Sequence, residues 1–132
     1  MLKIQIIVEE DGGVDPIEPS GEILISDGGV RISERYVYLD SWLDALITGL
    51  KEVEAGKSAT VDLVEEPDPL LFQPQNGGLT LTYRDTTISV NSVDEFRQAL
   101  RSASVDFLRK LDVAEEDGES ELLKSIRKFS EG

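Results

Sequence analysis

Glu65-Glu66-Pro67-Asp68 sets three carboxylates in one proline-containing turn after a candidate strand. With Asp62 nearby, such a group could hold a hard cation such as calcium or magnesium, or supply an acid/base pair. Adjacent glutamates usually diverge, however, so the plain alternative is a solvated turn. A glycosidase also needs two carboxylates across a cleft, and no local pattern places such a pair.

Tyr36, Tyr38 and Trp42 gather near the start of a predicted helix, beside Asp40 and Asp44. Large rigid rings bury area at low entropy cost, so aromatics flanked by acids suit a protein-binding hot spot. Trp42 also falls on the apolar stripe of that helix, which favours a core position. The expected partner-binding residues are Tyr36, Tyr38, Asp40, Trp42, Asp44, Glu65, Glu66 and Asp68.

Three further motifs fail on spacing. Ala55-Gly56-Lys57-Ser58 resembles the end of a phosphate-binding loop, but Lys51 stands where the first glycine belongs. It also follows a predicted helix instead of opening one. Residues 115–121 have the composition of a calcium loop, yet Val113 and Lys124 occupy its two essential acidic positions. Asp11-Gly12-Gly13-Val14 recurs as Asp27-Gly28-Gly29-Val30, which reads as two ordinary turns.

The chain has no histidine and no cysteine. A Ser-His-Asp triad, a cysteine nucleophile and a Cys/His zinc site are therefore impossible within it. No catalytic residue, metal or cofactor is expected. The absence of cysteine favours a cytoplasmic location. No signal peptide is apparent, since Lys3 and Gln5 interrupt the first apolar run. No window approaches the roughly 20 apolar residues of a membrane span.

The formal net charge is −14, from 13 basic and 27 acidic residues. It is uneven: residues 69–111 sum to +1, and the remainder carries the negative charge. Such a surface repels nucleic acid and anionic lipid, and steers a basic protein inward. Arg97, Arg101 and Arg109 form a basic stripe on a predicted helix, expected to pair with the chain's own acids.

These groups must be positioned by the elements around them. Leu2, Ile4, Ile6 and Val8 alternate with polar positions, as in a strand. Ile7 on the opposite side suggests cover on both faces. Residues 9–21 read as an acidic Gly/Pro loop. Residues 22–26 and 30–38 read as strands joined at Asp27-Gly28-Gly29. Trp42, Ala45, Leu46, Gly49, Leu50 and Val53 mark one face of a helix, with Ser41 as its cap and Gly56 at its end. Gly49 within the stripe implies close packing against a neighbour.

Strands are predicted at 58–64, 70–73, 79–84 and 87–90, with Asn76-Gly77 as a hairpin turn. Ser92 and Glu95 form a capping box. Val93, Phe96, Leu100, Ala103, Phe107 and Leu111 supply the apolar face of the helix that follows. A final helix spans 121–129.

The expected fold is α+β: an antiparallel β-sheet of about six or seven short strands, two main helices packed on one face, and a short C-terminal helix. Residues 1–111 make the domain. Residues 112–132 are an acidic spacer and that last helix, either docked or a mobile arm. The function that follows is protein binding by an acidic module, in one version an inhibitor or immunity-type protein masking a basic partner. The alternatives are a self-associating accessory protein (a homo-oligomer) and a carboxylate-dependent metal-binding enzyme.

Overall fold

The computed structural model describes residues 2–8, 20–63, 66–111 and 121–131, and the side chain of Leu111 is not among them. Glu65, the turn at 11–14 and the acidic spacer therefore lie outside the described residues. The elements are β1 (Leu2–Val8), β2 (Ser20–Asp27), β3 (Val30–Tyr38), α1 (Leu39–Glu54), β4 (Ala59–Val61), β5 (Leu70–Gln75), β6 (Gly78–Tyr83), β7 (Thr86–Val90), α2 (Val93–Leu111) and α3 (Glu121–Glu131).

The fold is α+β, and the seven strands are all antiparallel. They form two sheets instead of the expected one, ordered β1-β2-β3 and β4-β5-β6-β7. β7 touches β2 and β3 without joining their ladder. A bulge on β3, between Glu34 and Val37, lies close to this seam. Bulges of this kind end regular pairing and increase local twist.

The helices join the two sheets. α1 contacts β2 and β3 of one sheet and β4 and β5 of the other; α2 contacts β1 of the first and β6 and β7 of the second. One hydrophobic core runs through all of these, with Trp42, Phe72, Phe96 and Phe107 its largest fully buried side chains.

α1 begins at Leu39, two residues before the expected cap. Tyr38 holds the N-cap position without a side-chain cap bond. Early helical N–H groups lack intrahelical acceptors, and here Asp40 Oδ1 accepts the Ser41 N–H at 2.8 Å. The carboxylate takes the role assigned to the Ser41 hydroxyl, helped by the positive end of the helix dipole. At the other end Gly56 has φ +79°. Its N–H donates to Val53 O, and the Lys57 N–H donates to Glu52 O, both at 2.9 Å. This is a Schellman closure, which needs the left-handed residue that glycine adopts without penalty.

Gly49 meets Phe72 at close range. A methyl group there would overlap the Phe72 ring, which is fully buried and stands edge-on to Phe96 at 6.3 Å. Gly49→Ala should therefore lower stability by about 1–2 kcal/mol, although alanine is the better helix former by about 1 kcal/mol. Thermal unfolding checks this. A higher melting temperature would show that the ring can move aside.

The predicted helix face on α2 is buried at Phe96, Leu100, Ala103 and Phe107. The Glu95 N–H donates to Ser92 Oγ at 3.3 Å, as the capping box requires. Arg97 pairs with Glu54 and Asp94, tying α2 to the end of α1. Arg101 instead lies over the Phe129 ring of α3, 5.6 Å from its centroid, and Arg109 has no ion pair among the described residues. Of the three arginines expected to pair with acids, only Arg97 does so among the described residues. α3 is docked: Leu123 and Ile126 are buried, and the helix contacts both α1 and α2.

β1 alternates as predicted, but its outer face is open. Ile7 is 57% exposed, which corrects the expectation of cover on both sides. Ile7, Leu24 and Val105 line a groove of about 670 Å³ between β1 and α2. Lys110 closes part of the strand edge by donating to Ile6 O at 3.0 Å.

Candidate functional site

The seam between the sheets brings together residues from three distant stretches of chain. On β3, Ile32 and Val37 are buried and Glu34 is half-buried. The inward periodicity slips between 34 and 37, because β2 residues Gly21 and Ile23 oppose Val37 and Glu34 and leave Glu22 facing two residues. Arg35 answers Glu22 with an ion pair of 2.6 Å. Tyr36 is turned outward, 83% exposed, with φ +58°. A left-handed conformation costs a side-chain-bearing residue about 1–2 kcal/mol, and here it falls within the β3 bulge.

The β6–β7 hairpin reaches the same seam. Tyr83 pairs with Thr86 across Arg84-Asp85, and Arg84 also has positive φ, +54°. Its Nη1 meets Glu34 Oε1 at 3.0 Å, and its Nε donates to Asp68 Oδ2 at 3.0 Å. The same guanidinium lies over the Tyr83 ring, 5.0 Å from the centroid. One cation thus holds two carboxylates and covers an aromatic face, an arrangement suited to the flat, delocalised guanidinium.

Glu66 is the third carboxylate of the cluster. It is half-buried, and its carboxylate has no hydrogen-bond or ion-pair partner among the described residues. Burial raises its pKa above the ordinary carboxylate value; the negative charges of Glu34 and Asp68 act in the same sense, and Arg84 opposes them. Tyr83 lies behind Arg84, only 3% exposed. Among the described residues, its hydroxyl has no hydrogen-bond partner. Burial, then Glu34, push it up to about 12, with Arg84 opposing and Glu66 and Asp68 adding to the rise. Trp42 packs on Tyr83 in a T-shaped contact at 5.0 Å, and its Nε1 is likewise without a partner.

The residues picked from sequence are scattered by this geometry. Tyr36, Glu66 and Asp68 lie on or beside the seam, with Tyr36 and the cluster linked through Glu34. Trp42 is core, 1% exposed, and Asp40 is a buried helix-start residue. Neither can touch a partner while α1 is folded. Tyr38 and Asp44 are half-buried at the start of α1. Glu65 lies outside the described residues. Glu34 and Arg84 carry no local signal in the sequence, because the pairs of Arg84 span 16 and 50 positions, and Tyr83 joins them only through Arg84 on its ring. Among the described residues, no group of three carboxylates could hold a metal ion, and no helix is long and apolar enough to cross a membrane.

The chain matches no family model, no curated protein and no solved structure.

Proposed function

We propose that this protein is an acidic binding module that holds a basic partner protein through the seam surface around Glu34, Tyr36, Glu66 and Asp68. The observation that carries this is the charge imbalance of the cluster. Two carboxylates pair with one guanidinium, and a third nearby, Glu66, has no hydrogen-bond or ion-pair partner among the described residues. Tyr36, two residues along β3 from Glu34, offers a rigid, exposed ring of the kind that anchors interfaces. The net charge of −14 supplies long-range attraction that accelerates association with a cationic surface. In its most concrete form, the partner is an enzyme with a cationic site, such as a nuclease, which this chain masks as an inhibitor.

The test is capture of partners from a lysate of the source organism, with washes at about 0.05 M and 0.5 M salt. Screening lengths shorten across that range, so surface charge pairing weakens strongly. A basic protein retained at low salt and released at high salt is the expected result. Recovery of the bait alone, or of a partner insensitive to salt, would sink the reading.

A further inference from the structure

β1 is an end strand of the three-stranded sheet, at the opposite edge from the seam strand β3. Among the described residues, no strand pairs with its outer edge. Open edges of this kind are templates for a further strand. The groove of about 670 Å³ follows this edge: residues 4–7 in succession line one wall, and α2 between Ser102 and Lys110 lines the other. The walls match in length, since four strand residues span about 10 Å and eight helical steps about 12 Å. Lys110 Nζ donates to Ile6 O at 3.0 Å, so that carbonyl is turned to the groove. In an antiparallel strand a residue's N–H and C=O point to the same side, and every second residue repeats the direction. Ile4 and Ile6 therefore present backbone donors and acceptors to the groove, away from β2.

Two further observations say what fits there. Ile7 is 57% exposed and Val105 37%, one on each wall, so apolar surface flanks the open edge. Arg109 is exposed and has no ion pair among the described residues, whereas Lys110 is answered by Asp106 at 3.1 Å. The groove is thus net cationic, with Arg109 and Lys110 against Asp106, in a chain whose net charge is −14. We propose that it binds an extended acidic segment of a partner protein, which adds a strand beside β1, lays alternate apolar side chains on Ile7 and Val105, and sets a carboxylate on Arg109. Main-chain hydrogen bonds give such strand addition its affinity, and pockets for alternate side chains give it specificity. Lys110 covers the Ile6 carbonyl in the free protein. An N–H of the incoming strand takes its place. The groove is independent of the seam, since it uses the other edge of the sheet and the opposite charge. This chain would then hold a basic protein at one surface and an acidic segment at the other.

The experiment titrates the full chain into a fluorescein-labelled hexapeptide of alternating valine and threonine that ends in two glutamates, read by anisotropy at about 0.15 M salt. A second peptide carries glutamines in place of the glutamates. A third is N-methylated throughout, which removes its main-chain donors and keeps its side chains. The expected result is about tenfold tighter binding of the acidic peptide than of its glutamine version, on the scale of a charge-assisted contact, and no binding of the methylated one. Arg109→Gln removes the preference for the acidic peptide. Lys51→Gln, the same loss of charge at an exposed position on α1, leaves it. Ile7→Thr weakens both unmethylated peptides about threefold through lost apolar contact. Residues 7 and 109 are exposed, so unchanged melting temperatures separate these losses from misfolding. Binding of the methylated peptide as tight as that of the acidic one would overturn strand addition, and equal losses for Arg109→Gln and Lys51→Gln would overturn the site. A chain that takes up no peptide overturns the proposal, and dimerisation weakened by Ile7→Thr in sedimentation would then give the edge to a second copy. None of these outcomes bears on the seam, whose partner is basic.

Discussion

Gly78→Ala is expected to lower the melting temperature by roughly 10 °C, the equivalent of about 3 kcal/mol in a chain of this size. The first link is geometric. A Cβ on Gly78 would overlap the Val90 carbonyl oxygen and the Asn91 backbone. At Gly49 the obstacle is a side chain, whereas here it is main chain at the end of β7. The second link is topological. Leu79 pairs with Val90, and Gly77 O accepts the Val93 N–H at 3.2 Å. Moving Asn91 aside therefore disturbs the last rung of the β6–β7 ladder and the start of α2 together. Gly29→Ala is the control, since a Cβ there meets nothing within 4 Å. Calorimetric unfolding of both variants decides it. Equal melting temperatures would mean that the end of β7 yields without cost.

The second large effect concerns binding. Changing Glu34→Gln, Glu66→Gln and Asp68→Asn together should weaken capture of the basic partner about 100-fold or more at low salt. Truncating one member of a close interfacial charge pair commonly costs about 2–5 kcal/mol. The loss should shrink at high salt, where the wild type is itself weakened. Arg84 would then lack both of its carboxylates, so a fourth change, Arg84→Gln, keeps the cluster neutral and separates binding from folding. Circular dichroism confirms the fold of each variant, and calorimetric titration gives the affinity. Affinity unchanged in the four-residue variant would place the interface elsewhere.

The same cluster fixes the sign of the pH response. Glu66 has a folded pKa above its unfolded value. Its protonated form favours the folded state, and that contribution is lost as pH rises from the ordinary carboxylate value through the raised one. Ionisation of Glu66 thus makes the free protein slightly less stable and more avid for a cation. Partner affinity and free-protein stability should move in opposite directions across this window.

Much of the fold was legible in local pattern because its causes are local. Alternation at Leu2, Ile4, Ile6 and Val8 reflects the two-residue repeat of a strand lying on a core. The Trp42-to-Val53 stripe, the Ser92–Glu95 cap, and the turns at Gly28-Gly29 and Asn76-Gly77 each rest on a few neighbouring residues. Gly49 announced a close contact, although sequence could not name Phe72. The division into two sheets was not legible, because it depends on whether the edges of β3 and β7 pair, and alternation within a strand says nothing about its neighbour.

For the site, sequence alone determined what chemistry was absent and that acidic surface would dominate, since residue types and charge do not depend on conformation. Tertiary structure decided which acids act together. Glu34, Asp68 and Arg84 meet only because the bulged end of β3 lies against the β6–β7 turn. It also decided that Trp42 and Asp40 belong to the interior while Tyr36 faces solvent. The physical reason is range: hydrophobic period and turn chemistry act over a few residues, whereas electrostatic coupling and burial depend on distances in space that folding alone sets.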